Sequence, residues 1–173
     1  MLVSNPNNPL NPVNSATSAS SSTAKRGAFI VVEGTDRCGK STQCGLLLKH
    51  LMSVGVAAAA MRFPDRTTAV GSLINQYLTG GADLDDRAIH LLFSANRWEG
   101  SRKLEELLYE QGQTVICDRY AYSGVAFTSA KAREGQGGPL SLEWCRQPDV
   151  GLPAPDAVIF LELSQEEAEQ RGG

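Results

Sequence analysis

Residues Ala28–Thr42 read AFIVVEGTDRCGKST, and the fold follows from the junction inside them. AFIVVE (Ala28–Glu33) is a short continuous apolar run closed by an acid, the pattern of a strand buried on both faces of a parallel sheet. Gly34-Thr35-Asp36-Arg37-Cys38-Gly39-Lys40-Ser41-Thr42 then matches GxxxxGK[ST] in full, between that strand and a helix-forming stretch. Gly34 and Gly39 permit a tight backbone path that a side chain would penalise. The N–H groups of the loop and the helix N-terminus make a concave anion site. Lys40 can reach a transferred phosphate and Ser41 can ligate Mg²⁺. Because the context is right on both sides, the chain reads as a phosphate-binding NTPase relative rather than as a chance glycine-rich turn.

Outward from this junction the pattern alternates. QCGLLLKHLMSVG follows the loop, with Leu46, Leu47, Leu48 and Leu51 expected on the buried side of a helix. VAAAAMRF (Val56–Phe63) is the next strand expected, although its four alanines suit helix as well. TVICD (Thr114–Asp118) and DAVIFLEL (Asp156–Leu163) are clearer strands. Helical stretches lie around 67–79, 86–111 and 120–132, while Gly135–Pro139 and QPDVGLPAP (Gln147–Pro155) read as loops. Strands alternating with helices predict an α/β fold, a parallel sheet with helices on both faces in three layers.

Composition bounds the function. The chain has 173 residues and a formal net charge of −3, with no basic excess to support a general nucleic-acid binder. No apolar run approaches the roughly 18–20 residues needed to cross a bilayer, so no membrane association is expected. Cys38, Cys44, Cys117 and Cys145 show neither CxxC pairing nor zinc-type spacing, and reduced thiols fit an intracellular protein. Residues 1–24 contain no Asp, Glu, Lys or Arg and are rich in Asn, Pro and Ser, so residues 1–26 are expected to form a disordered extension before a domain at 27–173. Pro6, Pro9 and Pro12 oppose the amphipathic helix of a mitochondrial presequence. A cytoplasmic location is therefore favoured over a mitochondrial or nuclear one.

Three further groups carry chemistry. Arg37, inside the loop, is placed to neutralise charge developing on phosphates, the competing reading being a solvent-facing loop arginine. Asp36, acidic beside an anion site, suits a sugar hydroxyl or a metal, or else a turn carboxylate. Asp118 ends a strand at the rim where ligands bind in open α/β sheets and can hold Mg²⁺ through water, while Arg119 can clamp a second phosphate. A helix-capping role for Asp118 stays open. In HLLFSANRWE (His90–Glu99), Phe93 and Arg97 share a helix face, able to stack a base and bond its edge, although core packing is the common use of such a Phe. FPDR (Phe63–Arg66) puts an aromatic and an arginine at another strand end. His50 and His90 have no partner at ligand spacing, and Trp98 and Trp144 read as packing residues.

EGTDRCGKSTQ, RFPDRTTAVGSLINQYL, HLLFSANRWE, DRYAYSGVAFTSAK and LEWCRQPDVGLPAPD together resemble the thymidylate kinases of eukaryotic type, in the same order, from about Gly27 to Arg171. The resemblance implies ATP and dTMP as substrates, Mg²⁺ as cofactor and dTDP as product, on the way to dTTP. It also implies that Arg66 and Arg119 contact the monophosphate, that Phe93 stacks on thymine and that Arg97 contacts the base or the acceptor phosphate. Asp36 would take the deoxyribose 3′-hydroxyl, and Phe63, Ser123, Gly124 and Phe127 match other parts of the thymidine pocket. Arg37 matches family members whose catalytic arginine lies in the phosphate loop, acting with Lys40 and with the metal at Ser41 and Asp118. Homodimerisation through helices is a further implication. The family's strand order is 2-3-1-4-5. SQEEAEQRGG ends where the family continues into a lid and the last strand, so an incomplete domain is expected, with a catalytically inactive form that binds nucleotide or a partner protein as the alternative.

Overall fold

In a computed structural model of the chain, the described residues are 25–131, 140–164 and 167. The expected arm at 1–24, the loop at Gly135–Pro139 and most of SQEEAEQRGG lie outside them. Strand β1 (Phe29–Gly34) leads through the phosphate loop into helix α1 (Lys40–Ser53), and β2 is Ala58–Arg62. Helices α2 (Ala69–Leu78) and α3 (Asp86–Glu105) follow, the latter prolonged by a π-type turn over Glu106–Glu110. Next come β3 (Thr114–Asp118), α4 (Ala121–Ser129), α5 (Leu142–Arg146) and β4 (Ala157–Leu161).

All pairings in the sheet are parallel, in the order β2-β3-β1-β4. These are the first four positions of the expected order. The register sets Val32 and Arg62 on either side of Asp118, so the phosphate loop, Asp118 and Arg62 emerge together at the carboxyl rim. That common level makes one functional edge out of segments far apart in the chain.

The two faces of the sheet are covered differently. On one, Phe29, Val31, Val115 and Cys117 pack with Leu104, Leu107 and Leu108 of α3 and its extension. On the other, Val32, Ile116 and Cys44 meet Leu47, Leu48 and Leu51 of α1. Leu46 departs from the expected buried set: it is exposed, because four leucines in six positions sweep further round a helix than the face turned to the sheet. The alanine-rich Val56–Phe63 stretch resolves as a strand because it pairs with β3, and Phe63 N donates to Asp118 O at its end. Gln147–Pro155 is not wholly loop. Gln147–Asp149 forms a 3₁₀ turn continuing from α5, whose Ser141 cap accepts from Trp144 N.

At the foot of the sheet Asp156 accepts from Phe29 N (2.7 Å) and Arg26 Nη1 (2.6 Å), joining the starts of β1 and β4. Arg26, included with the N-terminal extension on composition, is thus tied to the sheet and lies over the Tyr109 ring.

Candidate functional site

A cleft of about 1070 Å³ opens at the carboxyl rim, lined by Arg37, Lys40 and Ser41 from the phosphate loop and by Arg66, Asp118 and Arg119 from the strand ends. Gly34 turns the chain out of β1 at φ +148, and a Cβ there would stand 2.2 Å from Leu161 O, so only glycine fits between the loop and β4. Gly39 enters α1 in the left-handed region. Lys40 is buried and donates from Nζ to the carbonyls of Thr35 and Gly34, the latter at 3.1 Å, with Cys38 Sγ at 3.5 Å. Thr35, Asp36, Arg37, Ser41 and Thr42 are exposed around it.

Among the described residues two non-glycine residues adopt positive φ, and both are arginines of the expected site: Arg37 at 62° and Arg119 at 68°. Such a conformation costs on the order of 1–3 kcal/mol and persists only where the surroundings fix it. Around Arg119 those surroundings are clear. Its guanidinium pairs with Asp36 of the phosphate loop, donates to Ser123 Oγ (2.9 Å) and lies 5.6 Å over the Phe127 ring. Three residues expected at the nucleoside end, Asp36, Ser123 and Phe127, are therefore gathered on one cation.

Ser41 Oγ donates to Asp118 Oδ2 at 2.5 Å. This pair of hard oxygens at the rim suits a small divalent cation completed by water and phosphate oxygens, the usual manner of Mg²⁺. Among the described residues no group of three or more His, Cys, Asp or Glu forms a dedicated cage. Asp118 Oδ2 also takes Arg62 Nη2 (3.0 Å) and Nε (3.2 Å), so the capping role for Asp118 gives way to a charge pair inside the cleft. Nearby thiols stay protonated at neutral pH: burial, then the Asp118 charge, pushes Cys44 up to about 11, and burial raises Cys117 well above its ordinary range.

Several residues that build this edge were not among the expected site residues. Glu33, buried under α4, accepts from Tyr120 N (2.9 Å) and Ser123 N (3.2 Å) and from Ser123 Oγ (2.5 Å). It thus holds the helix start that presents Ser123 to Arg119. Asn96 pins the loop after β2, accepting from Asp65 N (2.7 Å) and donating to Asp65 O (3.0 Å), which sets the segment carrying Arg66. Arg66 itself donates to Asn75 Oδ1 (3.1 Å). An asparagine in the helical motif HLLFSANRWE is the available signal for this pin. Glu33 and Arg62 open the motifs EGTDRCGKSTQ and RFPDRTTAVGSLINQYL, but nothing in the sequence assigned either of them a role in the site.

The remaining expected residues divide. Phe63 is buried, packs on Tyr120 (5.7 Å between centroids) and still lines the cleft. Phe93 is half-buried on α3, one turn before Arg97. Arg97 is buried in an ion pair with Asp149 and its guanidinium lies against Gly124. His90, buried, bridges Thr128 Oγ1 (2.8 Å) and Cys145 O (2.9 Å), while Trp98 is partly exposed and donates to Pro148 O (2.8 Å).

Comparison with known proteins gives this geometry relatives. A family model described as thymidylate kinase matches residues 32–173. The chain is 53% identical over 152 residues to a thymidylate kinase of Arabidopsis thaliana, covering 88% of this chain and 55% of that protein. Identity to a thymidylate kinase of Homo sapiens is 52% over 149 residues, covering 86% of this chain and 67% of the relative. A solved thymidylate kinase structure from Candida albicans superposes with a TM-score of 0.75 at 44% identity, covering 86% of this chain and 68% of that one. The chain thus spans about half the length of the plant relative and about two thirds of the human one.

Proposed function

The chain belongs to the thymidylate kinase family of nucleoside monophosphate kinases, and from that premise we propose that it transfers the γ-phosphoryl group of ATP to dTMP, giving dTDP and ADP. The observation that carries this reading is the single cleft in which phosphate-loop residues Lys40 and Ser41 face a second set of cations, Arg66 and Arg119. One anion site serves a donor. Two on one sheet edge serve a donor and a phosphorylated acceptor.

In this mechanism the loop N–H groups and Lys40 hold the ATP phosphates, and Lys40 exchanges its loop carbonyls for phosphate oxygens when ATP enters. Arg66 and Arg119 hold the acceptor phosphate, Asp36 takes the sugar hydroxyl, and Phe93 stacks on the base with Arg97 at its edge. Phe63, Ser123, Gly124 and Phe127 shape the rest of the nucleoside pocket. An oxygen of the dTMP phosphate forms a bond to the γ-phosphorus as the bond to the β-phosphate oxygen breaks and ADP leaves with that electron pair. The attacking oxygen is already anionic, so no general base is required. Arg37 and Lys40 stabilise the charge spread over the transferring group. Ser41 and Asp118 would hold Mg²⁺, which when bound neutralises phosphate charge. Arg62 then has to yield its place on Asp118.

The test is ADP release from ATP, Mg²⁺ and dTMP by the purified chain, with dCMP, AMP and GMP as competing acceptors and Lys40→Ala as control. Turnover with dTMP that vanishes in the control is expected. Preference for another acceptor, or no turnover by a folded sample, overturns the proposal.

A further inference from the structure

We propose that Asp149, on the turn that follows α5, is a positioning residue that aims Arg97 into the acceptor pocket, with Ser94 holding its carboxylate; the inference rests on the dTMP reading above. Arg97 Nε donates to Asp149 Oδ1 (2.9 Å) and Nη2 donates to Oδ2 (2.7 Å), a forked pair. Both side chains are almost wholly buried, at 2% and 4% exposure. The fork uses one edge of a planar group that has five N–H donors and no acceptor. The other edge, bearing Nη1, takes no part in the fork and lies against Gly124 of α4, one of the residues expected at the nucleoside pocket.

The carboxylate is itself fixed from α3. Ser94 Oγ donates to Asp149 Oδ1 (2.8 Å) and to Pro148 O (2.9 Å), and Trp98 Nε1 donates to the same carbonyl (2.8 Å). Two residues within about one turn of Arg97, Ser94 and Trp98, therefore grip the turn that carries its partner. Gly124 closes the arrangement: a Cβ there would stand 3.2 Å from Nη2 and 3.3 Å from Nη1, so a larger residue would press the guanidinium out of line.

An arginine held this way loses little freedom when a ligand arrives, which favours binding. It also discriminates, because an all-donor group in a fixed direction accepts a base carbonyl and repels an amino group. A purely structural ion pair would not do this. It would support folding while leaving nucleotide affinities alone.

The experiment measures dTMP and ATP binding by calorimetry on the full chain, together with kcat and KM for dTMP and dCMP and the melting temperature. The proteins compared are wild type, Asp149→Asn and Ser94→Ala. Asparagine keeps an acceptor for Nε but turns an amide N–H₂ toward Nη2, breaking half of the fork. Asp149→Asn is expected to raise the dTMP Kd and KM about tenfold with ATP Kd within about twofold, and to narrow the preference for dTMP over dCMP. Ser94→Ala is expected to move the same quantities in the same direction by less. A lowered melting temperature with wild-type dTMP affinity in Asp149→Asn overturns the inference alone. If that variant does not fold, an unchanged dTMP Kd in Ser94→Ala overturns it instead. A folded wild type that binds ATP and not dTMP overturns the dTMP reading and the inference with it.

Discussion

At the scale of single residues, Lys40 and Arg37 sit in one loop under different constraints. Lys40 Nζ is buried against the Gly34 and Thr35 carbonyls, which keeps its charge at the floor of the loop. Arg37 is exposed at the cleft mouth on a left-handed backbone. Lys40→Ala is expected to lower kcat by about 100-fold or more in the ADP-release assay, since it removes a preorganised charge from the transferring group. Retained kcat would mean that the loop is not the donor site. Arg37→Gly places a residue suited to φ 62 in the same position, so its effect reports the guanidinium rather than the backbone. A fall in kcat of about 100-fold with dTMP affinity within a few-fold is expected. The opposite split would make Arg37 a binding residue.

Between elements, the nucleoside side is held by polar ties running through buried space. His90 joins α3 to Thr128 of α4 and to the Cys145 carbonyl of α5, so Nε2 carries the proton and Nδ1 accepts from the threonine. Lys131, just after α4, donates to Asp86 Oδ1 (2.9 Å) and Tyr77 Oη (2.8 Å), adding a second clasp to α3 and α2. Burial is the main cause that holds the His90 value below its ordinary 6.5. Its unfolded form therefore binds the proton first as pH falls. The stability it contributes is present in full above 6.5 and is lost as pH drops below that value toward and through the folded-state one. Melting temperatures measured across pH about 5–8 should decline on the acid side, and His90→Gln should flatten that part of the profile. A profile that the substitution leaves unchanged would remove His90 as its source.

Across the whole molecule, the proposed donor and acceptor sites on one sheet edge would make folding and ligand binding a linked equilibrium. ATP with Mg²⁺, and dTMP separately, should each raise the melting temperature, by an amount equivalent to about 2.7 kcal/mol at a hundredfold excess over Kd. Lys40→Ala should lose the ATP shift and keep the dTMP shift, and loss of both would show that the two sites are not separable. Among the described residues no helix is long and apolar enough to cross a membrane. Much of this edge was legible in the chain itself, because a strand, a glycine-bounded loop and a helix in succession form an anion site by local backbone geometry alone. The family motifs named Arg66 and Arg119, which line the cleft, and Phe93 and Arg97, which are not among its lining residues. The sequence by itself determined the α/β class, the phosphate loop and the residue types brought to the rim. Only the tertiary structure decided which partners those charges have: Arg97 meets Asp149 at 52 positions' distance, Arg62 meets Asp118 at 56 and Ser123 meets Glu33 at 90. A buried charge must be matched by whatever the closed sheet brings beside it, and no local pattern records that neighbour.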